Sequence, residues 1–238
     1  MSTLVENVAK VTAAHAALKE AIAAKGVNVP DGAKLTDMPA LVGQISTELV
    51  PTNARACFAG DVAVRSLVVP RMMVVDMTAI DNLKLFFYYN NMTSLTLPEG
   101  FGESATTLED CFNSSMRLKS LTLPAGFGQN ATNLYHCFRD NRNLTSLMLP
   151  AGFGQNATHL TSCFIGCSAL KTITGNPNFK VSLDLSPCTN LTHDSIMVVI
   201  NGLQTVTTTQ NLTLGTENLA KLTDDEKKVA TDKGWTLA

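Results

Sequence analysis

The sequence predicts an α/β fold built as a repeat solenoid, with a helical head at the N-terminus and an αβ cap at the C-terminus. Three observations predict it. A 26-residue unit recurs three times, as SLTLPEGFGESATTLEDCF (94–112), SLTLPAGFGQNATNLYHCF (120–138) and SLMLPAGFGQNATHLTSCF (146–164). Within each unit the leucines alternate at period two, as on a strand with one buried face. On both sides the apolar spacing turns helical and helix-capping residues appear. A fixed period of roughly 20–50 residues marks a solenoid, propeller or array. Solenoids offer long surfaces for binding more often than catalytic clefts.

The head spans residues 1–50. A helix is expected over residues 3–25, with apolar positions at Leu4, Val8, Val11, Leu18 and Ile22 and His15 in the remaining seam slot. These steps fit alternating a and d sites of about three heptads. Gly26 stands where a C-cap glycine belongs. Two readings stay open: an amphipathic helix packed on its own chain, or a short stalk that joins copies into a homo-oligomer such as a trimer. A second short helix is expected over 38–46, with Asp37 as N-cap and Pro39 in its first turn.

The repeats are expected to fill residues 51–190. SLVVP (66–70) matches the SLTLP strand, and in LKLFFY (83–88) Phe86 and Phe87 replace the Cys-Phe pair of the later units. Ile173 continues the register 26 residues after Leu147. Leu95 and Leu97, Leu121 and Leu123, and Leu147 and Leu149 should point inward, with Thr96, Thr122 and Met148 outward. Phe101, Phe127 and Phe153 form a second ladder and Leu108, Leu134 and Leu160 a third. Cys111, Cys137 and Cys163 are read as small buried apolar residues rather than bridges or metal ligands. The cap, 191–238, should hold a helix from N-cap Thr192 to about Leu203, a strand at 212–214, a helix opened by the Thr223–Glu226 capping box and ending at Gly234, and a closing strand at 235–237.

Composition narrows the function classes. The net charge is -2 and charged residues make up 16% of the chain, so nothing points to nucleic acid. Polar surface must come largely from 28 Thr and 18 Asn. No stretch reaches the ~18–20 apolar residues of a membrane-crossing helix, and the first twenty residues lack the pattern of a signal peptide. The seven N-x-S/T triplets read as repeated turn residues. Gly126-Phe127-Gly128 lacks the third glycine and the lysine of a phosphate loop. The four histidines form no catalytic or zinc motif. No catalytic residue, metal site or cofactor is therefore assigned.

The units LTSLMLPAGFGQNATHLTSCF and CSALKTI (167–173) resemble the leucine-rich repeats of the BspA-like surface-protein family, over roughly residues 56–190. That resemblance implies a leucine-rich-repeat solenoid and a bacterial adhesin role. AALKEAIAAKGVNVPDGAKLTDMPALVGQI (16–45) and LAKLTDDEKKVATDKGWTLA (219–238) resemble pieces of phage or prophage tail proteins of gut bacteria. They imply a virion-associated protein attached through its head to other virion proteins and released by lysis. The expected function is non-catalytic recognition of a bacterial surface glycan or protein, without membrane insertion. The alternatives are a cell-surface adhesin of a gut bacterium and a purely structural virion component.

A binding surface should lie where equivalent repeat positions differ. These are Glu109, Tyr135 and Thr161, then Asp110, His136 and Ser162, with Arg139, Asp140 and Arg142 in the following turn. Tyr135 and the arginines rank first, since aromatic and Arg side chains are enriched at binding hot spots.

Overall fold

A computed structural model describes residue 16, residues 18–20 and 22–23, the backbone of 66–68, and residues 80–238. The chain divides into two compact units, Met1–Val50 with Pro70–Asp76, and Pro51–Val69 with Met77–Ala238. In the first unit the described residues are helical; Ile22 is buried at 1% exposure and Leu18 is 37% exposed. The predicted seam positions Leu4, Val8, Val11 and His15, and the expected helix at 38–46, lie outside the described residues.

Among its described residues the second unit mixes helices with three small parallel sheets. Strand β1 (Ser66–Val68) pairs with β2 (Ser94–Thr96). β3 (Ser120–Thr122), β4 (Ser146–Leu149) and β5 (Thr172–Gly175) form the next sheet, paired Leu121 to Leu147 to Ile173 at the sequence period. The repeated unit thus sets the register, and each coil rests on the next. The leucine pairs point inward as expected, while Thr96 and Thr122 are exposed and Met148 is half-buried.

The phenylalanines stack between coils. Phe87, Phe112, Phe138 and Phe164 form one column with centroids 5.3, 5.6 and 5.4 Å apart. Phe101 stacks on Phe127 at 6.2 Å, and Phe179 ends that second column edge-on to Phe153. Glycine is required beside it: Gly128 has φ +72°, and a Cβ there would lie 2.8 Å from the Phe153 ring. The described cysteines are free and buried, and burial pushes the thiols of Cys111, Cys137 and Cys163 far up.

A buried polar column runs beside the rings. Ser115 Oγ donates to the Phe87 carbonyl at 3.2 Å, Asn141 Nδ2 to the Phe112 and Phe138 carbonyls at 3.0 and 2.7 Å, and the Cys167 thiol to Phe138 at 3.0 Å. Cys167 therefore fills the place of an amide, and burial pushes its thiol up to about 12. Outside this column, threonine hydroxyls tie coil to coil: Thr132 to the Thr106 carbonyl at 3.2 Å and Thr158 to the Thr132 carbonyl at 3.0 Å. The Thr and Asn content thus satisfies carbonyl groups that an irregular stack would leave unpaired.

The C-terminal part follows the predicted order with shorter helices. β6 (Leu183–Asp184) pairs with β7 (Gln210–Thr213), and β7 with β8 (Trp235–Leu237). Helix α1 (His193–Asn201) starts at Thr192, whose side chain accepts from the Ser195 amide, and stops before Leu203 at Gly202. Lys233 Nζ reaches the Asn201 and Ile200 carbonyls at 2.7 and 3.1 Å and closes that end. Helix α2 (Thr216–Leu219) leads to α3 (Asp224–Thr231). The Thr223–Glu226 capping box is formed, and Gly234 lies beyond the helix at φ +87°. Trp235 is buried, and its Nε1 donates to the Gln204 carbonyl at 2.8 Å.

Candidate functional site

Each coil makes a turn at 84–89, 109–114, 135–140 and 161–166. Its backbone alternates two kinds of hydrogen bond. In the second turn, the amides of Leu108, Asp110, Phe112 and Ser114 donate to Asn133, Tyr135, Cys137 and Arg139 of the next coil at 2.8–3.0 Å. Between them, Cys111 and Asn113 donate back three residues within their own coil. This alternation needs left-handed residues. Leu85, Asp110, His136 and Ser162 have φ of +54° to +59°, and Tyr89, Ser114 and Asp140 of +52° to +61°. One backbone is thus held in register while its outward side chains differ.

The sequence-predicted positions fall on this turn face, in adjacent coils. The Tyr135 ring, 37% exposed, stacks on His136 with centroids 3.6 Å apart. His136 Nε2 lies 3.2 Å from Arg139 Nη1 and its Nδ1 lies 3.5 Å from Asp110 Oδ1. A guanidinium only donates, so this contact favours the tautomer whose Nε2 lone pair faces Arg139. Partial burial and the Arg139 charge hold the His136 pKa below its ordinary 6.5, against the pull of Asp110. Asp140 accepts from Arg139 at 3.2 Å and from Arg142 at 3.1 Å, so it links Arg142 to the Arg139 side chain that meets the His136 ring. Glu109 is held by Lys84 at 2.6 Å and by Asn133 at 3.2 Å. The exposed Thr161 joins through its carbonyl, which accepts from the His136 amide at 3.3 Å.

Tyr135, His136, Arg139 and Arg142 therefore form one patch, with Glu109 and Thr161 in the flanking coils. Lys84, Tyr89, Met116 and Ile165 were not among the sequence candidates. Tyr89 is 52% exposed, Ile165 41% and Met116 37%. Tyr89 and Met116 border a hollow of about 150 Å³ with Asn90, Asn91 and Ser114. Aligning the irregular first unit at 25 residues, as the Leu85 to Glu109 and Phe87 to Cys111 bonds do, brings Tyr89 opposite Ser114 and Asp140. That alignment was the available signal.

The patch offers aromatic area, fixed cations and carboxylates on a rigid turn. It presents no nucleophile paired with a base. No protein-family profile, curated protein or solved structure matches the chain.

Proposed function

We propose that the chain is a non-catalytic binding module: a leucine-rich-repeat solenoid, carried on a phage or prophage virion by its N-terminal head, that recognises a bacterial surface glycan or protein. One observation carries this reading. Successive turns share a backbone, yet they diverge at their outward positions and gather an exposed tyrosine and two ordered arginines there. Rigid aromatic and Arg side chains bind with little loss of conformational entropy, so such a patch suits recognition. A homo-oligomer joined through residues 1–50 would multiply weak contacts by avidity, by roughly 10²–10⁴.

The test is binding of fluorescent full-length protein to a panel of whole gut bacteria. Saturable, strain-selective binding is expected. A well-folded sample that binds no strain would refute recognition and favour a structural place in the particle.

A further inference from the structure

The coil-to-coil bonding stops at the turn of 161–166. In the preceding coils the amides equivalent to Leu160 and Ser162 donate to the next coil: Leu134 to the His159 carbonyl at 2.8 Å and His136 to the Thr161 carbonyl at 3.3 Å. The amides of Leu160 and Ser162 have no acceptor among the described residues. The Thr161 amide likewise has no acceptor among the described residues. Its equivalents at Lys84, Glu109 and Tyr135 are capped by Asn82, Thr107 and Asn133, whereas position 159 is a histidine whose Nδ1 is engaged by Thr158.

The cause is a shortened coil. From strand start to the buried polar column takes 21 residues between Ser146 and Cys167, but 16 between Thr172 and Cys188. The next coil thus lacks the residues that would cover this turn, and β6 and β7 face it across a hollow of about 280 Å³. Asp184, Asn211 and Thr213 line the far side. Asp184 Oδ1 is engaged by Ser186 at 2.9 and 2.7 Å, while Oδ2, Asn211 Nδ2 and the hydroxyls of Thr161, Ser162 and Thr213 have no partner among the described residues. Thr132 and Thr158, by contrast, spend their hydroxyls on carbonyls of the neighbouring coil.

We propose that this hollow is a binding subsite for a neutral saccharide unit. It deepens the recognition reading above and rests on it. By register with Leu134 and His136, one wall offers the Leu160 and Ser162 amides beside the Thr161 and Ser162 hydroxyls, and the other a carboxylate acceptor, an amide donor and a hydroxyl. A sugar hydroxyl donates and accepts at once, so a sugar satisfies both walls. An anion is opposed by Asp184, a metal ion finds a single carboxylate, and the lining holds no cation to take an acidic group.

The test is amide-resolved NMR of the ¹⁵N-labelled full chain, titrated separately with glucose, galactose, mannose, N-acetylglucosamine, sialic acid and inorganic phosphate. At least one neutral sugar should give saturable shifts at Leu160, Thr161 and Ser162, with a Kd of about millimolar order. Asp184→Asn keeps the Oδ1 acceptor for Ser186 and should weaken that sugar about tenfold. Thr213→Val, which leaves the Asp184 turn untouched, should weaken it about fivefold. Silence of these amides with every neutral sugar overturns the subsite, as do equal shifts with phosphate or sialic acid that ignore Asp184→Asn. Cell binding with silent amides would sink the subsite alone. Sugar shifts without cell binding would sink the virion-receptor reading alone.

Discussion

At the residue scale, single side chains test how the coils are held. Phe127 is fully buried, stacked on Phe101 and tilted against Phe112. Phe127→Ala removes that ring and leaves a cavity, and should lower unfolding free energy by about 3–5 kcal/mol in chemical denaturation. Gly128→Ala must adopt a positive φ and displace the Phe153 ring, and should destabilise by roughly 1–3 kcal/mol. Identical Tm values for Gly128→Ala and the parent chain would mean that the two coils are not packed as described. The leucine and phenylalanine ladders were legible because burial repeats at a fixed period. The left-handed backbone at Leu85 and Tyr89 was not, because only Gly, Asn and Asp announce that conformation from sequence. There the stacked neighbour imposes it on two large side chains.

At the element scale, the caps and the turn histidine set local stability. Thr223 and Glu226 satisfy two end amides of α3, so Thr223→Ala should cost about 1 kcal/mol. His136 has a folded pKa below its unfolded value, so the unfolded chain takes up the proton first. Its neutral form therefore supports stability above about pH 6.5, and that support is lost as pH falls toward its folded pKa. His193 behaves oppositely. Hydrogen bonds to Asp194 and Glu226 raise its pKa, so its contribution is full below about pH 6.5 and is lost as pH rises through its folded pKa. Histidine NMR titration of the full chain should place the two on opposite sides of 6.5; coincident midpoints would contradict the contacts described. The Thr192 N-cap and the Thr223–Glu226 capping box were readable because their chemistry is local. The first helix was read two residues too long: it stops at Asn201 with Gly202 as C-cap, a glycine signal present in the sequence, and the missing Cβ leaves room for the Pro177 carbonyl.

At the scale of the whole molecule, the repeat register was legible and the place where it fails was not. Pairing of Leu121, Leu147 and Ile173 follows from counting. The shortened coil before Cys188 leaves the Leu160 and Ser162 amides without acceptors among the described residues, and only the stacked structure reveals which groups lose partners. The divergence of Tyr135, His136, Arg139 and Arg142 from their equivalents was legible, and the structure places them on one turn face. Its internal order was not, because ring stacking and the sharing of Asp140 depend on the left-handed turn that brings those side chains together. Buried ladders keep the coils alike while the outer positions differ, which is the basis for placing recognition on the turn face.

The most direct measurement is binding of full-length Tyr135→Ala, Arg139→Ala and the double variant to the bacterial strain that takes up the parent chain best, with Tm recorded for each. Weakening of at least about tenfold for the double variant at unchanged Tm is the predicted result. Full retention of binding by the folded double variant would contradict the assignment of recognition to the turn face.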